Sequence, residues 1–473
     1  MTAVDERPAG ETDGTAGPRT PLLQRPLASY YLLLGCTAAL VVLGLVMVFS
    51  ASSVRSYAST GSLFSVAANQ ALWVALGVPV LWVGMRLPVR FYRAAAYPVL
   101  AVSTAGLLVV LVPGIGQEVD GARRWIDLGP VSLQPSEPAK LALALWGADL
   151  LVRKRALLGE WKHLLVPLLP VSAFLALLVM LEPDLGTTIA MGIVVFGLLW
   201  FVGAPLRLFA GLTGAAVVAV VGLIAVEPYR MRRVTGFLDP FADPLGTGYQ
   251  NVQGLYAVSS GGLTGVGLGA SREKWMYLPN GHTDFIYAII AEELGLLGSL
   301  LVLLLFAGLA LAGLRIASRA TDPFASLVAG AVTLWIVGQA VINVCTVLGL
   351  LPITGIPLPL VSYGGTALLV TLASLGMLAS FARSEPGAAA ALAARPPGPA
   401  TRLARRVSRT AGGARARAAL GLAPVAGAPR PGGSRAGRPL TGPRTRVPGT
   451  RGARPVSGAA RRSPRPARSG VVR

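Results

Sequence analysis

The chain has 473 residues, 53% of them hydrophobic against 13% charged, and a mean hydropathy of +0.63. That balance excludes a set of water-soluble globular domains. Apolar runs of about 20 residues, the length a helix needs to cross a ~30 Å hydrocarbon core, recur along most of the chain, whereas the short alternating segments of a transmembrane barrel do not. The net charge of +21 sits at one end: from Arg383 to Arg473 there are 20 Arg, no Lys and one acid, which leaves 22 basic and 20 acidic residues for the rest. Cys36 and Cys345 lie inside apolar segments and read as small packing residues, not as a disulfide framework.

In chain order, residues 1–29 are polar and rich in Gly, Pro and Thr. No short apolar core there leads to a small-residue cleavage site, so the first apolar segment is expected to be a retained helix and the stretch before it a disordered cytoplasmic N-terminus. Ten spans follow, at about 30–50, 67–85, 94–112, 137–152, 163–181, 185–203, 207–226, 284–314, 324–349 and 365–382. The expected fold is an all-α polytopic membrane protein of about ten transmembrane helices. The span 137–152 is short and carries Asp149, and the two spans around Glu182-Pro183-Asp184 also read as one long hairpin. With the N-terminus inside, 13 Lys and Arg fall in cytoplasmic segments before the tail and eight in outer ones, with Lys140 in a helix. This is the bias expected of cytoplasmic loops, and it places both termini in the cytoplasm.

Two outer segments, about 113–136 and 227–283, are long for a membrane protein and contain Trp, Tyr, Gln, Asn and paired Gly. They are expected to be folded and functional, the larger one lying between helices 7 and 8. The tail, residues 383–473, is Arg, Pro, Gly, Ala and Ser with almost no large apolar content, and is expected to be disordered. Its arginines suit anionic lipid headgroups, at about 1 kcal/mol each near the surface, or an acidic cytoplasmic protein. No aromatic platforms are interleaved with them, so nucleic-acid binding is disfavoured.

Charged groups near hydrocarbon are costly and point to partners or function. Eleven of the 21 acids fall on the expected outer side, Asp120, Glu182, Asp184, Glu227 and Asp284 among them, beside eight cations. In Gly121-Ala122-Arg123-Arg124-Trp125-Ile126-Asp127, two cations and an indole stand where a lipid headgroup would sit, although Trp125 also suits an interfacial anchor. The run Gln134-Pro135-Ser136-Glu137-Pro138-Ala139-Lys140 opens the fourth helix, with Ser136 as a candidate cap and Glu137 and Lys140 on one face as a candidate ion pair. In Asn280-Gly281-His282-Thr283-Asp284 a Gly-containing loop enters a helix. Asp284 either complements that helix terminus or acts as a general base, with His282 a hydrogen-bonding neighbour. The other histidine, His163, is assigned to the opposite face, which excludes a His-based zinc site. Glu292 and Glu293 follow about 12 Å along the same helix, as functional groups or as groups paired to a neighbouring helix.

Together GARRWIDLG, QPSEPAK, EPDLGT, FLDPFADPLGTGYQ, SGGLTGVGLG, YLPNGHTDFIYAIIAEELG and LPITGIPLPLVSYGGT resemble the SEDS proteins (shape, elongation, division and sporulation) over about residues 28–382. The resemblance implies a ten-helix peptidoglycan glycosyltransferase that polymerises lipid II at the outer face beside a class B penicillin-binding protein, a transpeptidase, and other divisome membrane proteins. It implies Asp284 as the essential carboxylate, and Trp125, Arg123, Arg124, Lys140, Glu137, Gln134, Ser136, His282, Thr283 and Ser362 as substrate-binding residues. No cofactor is implied with certainty; a divalent cation, Mg2+ or Mn2+, is a candidate aid to the leaving pyrophosphate. Two departures stand out: Asn280 where members often carry Glu, and Thr366 in place of a common Ser. The opening RPLASYYLLLGCTAALVVLGLVMVFSASS and the Arg-rich tail look most like a division-type member from a high-GC actinobacterium, acting at the septum. The elongation type is the nearest alternative. A lipid II flippase and a recruiting scaffold are readings from other classes, the flippase opposed by the sparse mid-helix charge.

Overall fold

The computed structural model describes residues 27–388 and 391, apart from 120, 128, 130 and 227. The expectations for residues 1–26, for Asp120 and Glu227, and for the Arg-rich tail beyond 391 lie outside the described residues. The helices are α1 (Ala28–Thr60), α2 (Ser65–Arg86), α3 (Val89–Val110), α4 (Ser136–Arg153), a short α5 (Trp161–Leu165), α6 (Leu168–Leu181), α7 (Leu185–Val202), α8 (Leu206–Val226), α9 (Pro228–Leu238), α10 (Tyr249–Ser260), α11 (Ile286–Arg319), α12 (Pro323–Val347) and α13 (Gly365–Arg383). A three-stranded antiparallel sheet, β1 (Gly116–Val119), β2 (Ala122–Asp127) and β3 (Ser132–Leu133), lies between α3 and α4.

Among the described residues, eight helices are long and apolar enough to cross a membrane, with α5 and α6 contributing one of them as Lys162–Leu181. The other two expected spans are α4, whose Glu137, Lys140, Asp149 and Arg153 lower its apolarity, and α8, apolar over Leu206–Ala219. Glu137, Lys140 and Asp149 of α4 are buried, while Arg153 is exposed at its end. Asp149 is fully buried, and its two oxygens accept from Arg93 Nε and Arg153 Nε, each at 2.6 Å. Both lone-pair sets of the carboxylate are thereby occupied, which makes the short charged segment compatible with the bundle interior.

Helix ends follow local chemistry. Asp184 accepts from Thr187 N at 2.9 Å and starts α7; Asp322 accepts from Phe324 N at 2.9 Å, with Pro323 in the first turn of α12. Ser136 does not cap α4. Pro135 occupies the capping position, and the Ser136 hydroxyl, fully buried, has no hydrogen-bond partner among the described residues.

α12 packs along α7 and α11, α13 along α2, α1 along α11, and α3 along α4, with Trp335, Phe324, Phe381 and Lys140 among the most deeply buried side chains. Leu304, Val102 and Val218 lie exposed along the outer helices, as expected of side chains facing acyl chains that are as apolar as leucine. Packing inside such a bundle therefore rests on close approach and dispersion rather than on water exclusion. α2 and α13 meet through glycines: a Cβ on Gly376 would stand 2.6 Å from the Leu81 carbonyl oxygen.

The long segment before α11 is folded onto that helix. α11 is broken at Gly295 (φ 67°, ψ −160°), and the loop after α10 supplies the missing backbone partners. Val266 N donates to Glu292 O at 2.9 Å and Gly267 N to Glu293 O at 3.1 Å, while Leu296 N and Leu297 N donate to Gly262 O and Leu263 O at 3.0 and 3.2 Å. Irregular backbone at this position is sustained because its polar groups are paired by protein. Glycine is required at 295, where a Cβ would lie 2.3 Å from Gly265 N.

Candidate active site

Asp284 lies just before α11, at the end of the bundle where the sheet, the α6–α7 link and the segment from residue 348 to 364 converge. Asn280, in the left-handed conformation (φ 55°), accepts through its carbonyl from Thr283 N at 3.0 Å and Phe285 N at 3.2 Å, closing the turn that presents His282, Thr283 and Asp284. The carbonyls of residues 282 to 284 are each captured. His282 O accepts from Tyr363 N at 3.0 Å, Thr283 O from Ser362 Oγ at 2.7 Å, and Asp284 O from Asn343 Nδ2 at 2.7 Å. Ser362 Oγ also accepts from Leu358 N at 2.8 Å, so its hydroxyl links two loops. The Asp284 carboxylate is partly exposed and faces Gly355, where a Cβ would lie 3.8 Å from Oδ2. A half-buried carboxylate whose own backbone is held in place is the arrangement a positioned general base needs.

His282 lies 5.8 Å from the Tyr363 ring, centroid to centroid, and burial, assisted by Arg55, pushes its imidazole down to about 4. It is neutral at pH 7 and adds no positive charge to the site. Tyr363 is itself oriented, its hydroxyl accepting from Asn69 Nδ2 at 2.8 Å.

Glu137 and Lys140 form the pair their spacing suggests, at 2.8 Å, with side chains 6% and 1% exposed. The ammonium also lies 5.1 Å from the Trp335 ring centroid. Glu137 lines a cleft with Gln339, Leu358, Ser362, Tyr363 and Thr371, so α4, α12, α13 and the loop that holds the Asp284 turn share one cavity.

The sheet carries the remaining cations. Arg124 is the extra residue of a β-bulge in β2, since neighbouring Gln117 and Glu118 of β1 pair with Trp125 and Arg123. Exposed Arg123 pairs with Glu118 at 3.2 Å. Arg124 grips the α6–α7 link: its Nε donates to Glu182 O at 3.1 Å and its terminal nitrogen to Pro183 O at 2.5 Å. Gln134 completes this contact, with Nε2 donating to Asp184 Oδ2 at 3.3 Å and N donating to Thr366 Oγ1 at 3.2 Å. Thr366 in turn donates to Ser132 O at 3.2 Å, a role the serine common at this position would fill equally.

Between these groups sits Glu182, fully buried, with neither oxygen hydrogen-bonded among the described residues. Burial and neighbouring Asp184 push its carboxyl up to about 8, with Arg124 opposing. Farther along, Glu292 accepts from Ser271 Oγ and from Arg272 N, while Glu293 accepts from Ser50 Oγ of α1 at 2.6 Å. The helix carboxylates thus anchor the loop and a neighbouring helix. Burial beside Glu292 also pushes Glu273 up to about 7. No three His, Cys, Asp or Glu side chains form a metal-holding group among the described residues.

Asn343, Gln339 and Tyr363 are not marked individually by the sequence reading, and Glu182 is marked only as one of the outer-side acids. The available signal was polarity: Gln339 and Asn343 interrupt an otherwise apolar helix.

A family model described as "Cell cycle protein" and covering FtsW, RodA and SpoVE matches residues 30–386. The chain is 44% identical over 384 residues to a probable peptidoglycan glycosyltransferase FtsW of Mycobacterium tuberculosis, covering 80% of this chain and 73% of that one. It is 40% identical to the stage V sporulation protein E of Bacillus subtilis, covering 74% and 96%. Among solved structures, a chain of a peptidoglycan synthase complex described as coordinating polymerization and crosslinking matches with a TM-score of 0.63 and 30% identity, covering 74% of this chain and 96% of that one. The rod shape determining protein RodA of Thermus thermophilus matches with 0.54 and 28%, covering 75% and 97%. The chain belongs to the FtsW, RodA and SpoVE family of membrane proteins.

Proposed function

We propose that this protein is a peptidoglycan glycosyltransferase that polymerises lipid II at the outer face of the bacterial plasma membrane during septal wall synthesis. The observation that carries the reading is Asp284, half-buried at one end of the bundle in a turn whose carbonyls are held by Tyr363, Ser362 and Asn343. The Asp284 carboxylate takes the proton of the acceptor sugar hydroxyl as that oxygen attacks the anomeric carbon of the donor. The bond from that carbon to the pyrophosphate oxygen breaks, the configuration inverts, and the polyprenyl pyrophosphate leaves as an anion. Arg123, Arg124 and Lys140 supply positive charge around the leaving group. Trp125, Glu137, Gln134, Ser136, His282, Thr283 and Ser362 shape the binding site.

The outward assignment of this end follows from the cations at the other one, where Arg93, Arg153, Arg315 and Arg383 make their contacts. Both termini are then cytoplasmic. The relative named FtsW supports the division role, and the solved synthase complex supports a class B penicillin-binding protein as partner, with other divisome membrane proteins around it.

The test is polymerisation of labelled lipid II by the purified chain with its transpeptidase. Glycan strands should survive inactivation of the transpeptidase and vanish with Asp284→Ala. Lipid II movement across vesicles with no strands from the native complex would turn the reading to a flippase, and strands that survive Asp284→Ala would remove Asp284 from the chemistry.

A further inference from the structure

The 282–284 segment is held through three carbonyls, and one of the three holders does a second thing. The side-chain amide of Asn343, 2% exposed in α12, donates to Asp284 O at 2.7 Å and to Ile356 O at 2.8 Å. Both amide hydrogens are used, while Oδ1 has no hydrogen-bond partner among the described residues. Exchanging the amide's oxygen and nitrogen would set that oxygen against two carbonyl oxygens, so the assignment is fixed by its surroundings. A buried acceptor left unpaired costs stability, and the group is retained where it joins two chain segments.

Those two segments are the walls around the Asp284 carboxylate. One is the turn that carries Asp284. The other holds Ile356 and Gly355, the residue the carboxylate faces. Gly355 itself is in the left-handed conformation (φ 70°), and the neighbouring Thr354 carbonyl oxygen packs against Gly186 at the start of α7. A planar amide with two fixed donors sets the spacing between these walls in a way that an apolar contact would not.

We propose that Asn343 is a positioning residue for Asp284, its amide fixing the gap in which the acceptor hydroxyl meets the carboxylate. This rests on Asp284 as the base. The hydrogen bonds of the Asn343 side chain go to backbone carbonyls, so its effect falls on the chemical step: a misplacement on the order of 1 Å costs about a hundredfold in rate.

The experiment measures kcat and KM for labelled lipid II with Asn343→Leu, which keeps the approximate volume and removes both donors, and with Asn343→Asp, which keeps the shape. Asp284→Ala runs alongside. Expected are a fall in kcat of about ten- to a hundredfold for Asn343→Leu, KM within about twofold of native, and an intermediate kcat for Asn343→Asp. If Asn343→Leu does not fold, Asn343→Asp is read by the same criterion. Native kcat in the folded variant, or a raised KM with kcat unchanged, overturns the inference while an inactive Asp284→Ala leaves the base assignment standing. An active Asp284→Ala overturns both.

Discussion

Glu182 lets burial be read as a pH dependence. Its carboxyl, ordinarily near 4.5, is pushed up to about 8 because it is fully buried beside Asp184, so the folded chain holds a proton there that the unfolded chain has released. The unfolded state binds fewer protons between those values, and stability therefore falls as pH rises through the window. The slope is about 1.4 kcal/mol per pH unit, or roughly 3 kcal/mol by pH 7. Glu182→Gln keeps the shape and removes the ionisation. In detergent, the difference in unfolding free energy between this variant and the native chain should grow by about 1.4 kcal/mol per unit from pH 6 to 8 and level off above 8. Thermal unfolding followed at half-unit steps provides the measurement. A difference that stays constant with pH would refute a buried, protonated Glu182.

The other predictions concern neighbouring elements. His282, held down to about 4 against an ordinary 6.5, contributes stability that is fully present above 6.5 and is lost as pH falls toward 4, so His282→Gln should flatten the acid side of the unfolding profile. Lys140→Met leaves Glu137 buried without its cation and should cost about 3–5 kcal/mol, most of it recovered by adding Glu137→Gln, as read by unfolding midpoints. Gly295→Ala forces a side chain into the left-handed region, at about 1–3 kcal/mol, and against the Gly265 amide. It should lower both the unfolding midpoint and polymerisation, whereas Gly192→Ala, with nothing within 4 Å, should change neither.

Helix positions were legible because apolar run length is a local property: the ten expected spans correspond to α1 to α4, the α5–α6 stretch, α7, α8 and α11 to α13, and the long segment before α11 is folded as its composition suggested. The Glu137–Lys140 pair was legible too, since both residues lie on one helical face. What escaped depends on contacts between distant segments. Nothing within α11 marks its break at Gly295 apart from one glycine among several, because the loop from Gly261 to Gly267 supplies the compensating partners. Ser136 has the chemistry of a cap, but the chain enters α4 through Pro135, and the hydroxyl turns inward. Arg124 was marked as a cation, but its contacts with the carbonyls of Glu182 and Pro183, nearly 60 residues away in sequence, have no local signal. Asn343 gave no local signal beyond its polarity, since both of its acceptors belong to other segments.

The most direct measurement is the rate of glycan strand formation by Asp284→Asn, which keeps the size of the side chain and removes the base, in a preparation whose unfolding midpoint matches the native chain. Strand formation should fall by at least a hundredfold, the scale of a lost general base. A folded Asp284→Asn chain that polymerises lipid II at the native rate would contradict the assignment of Asp284 as the group that accepts the sugar hydroxyl proton.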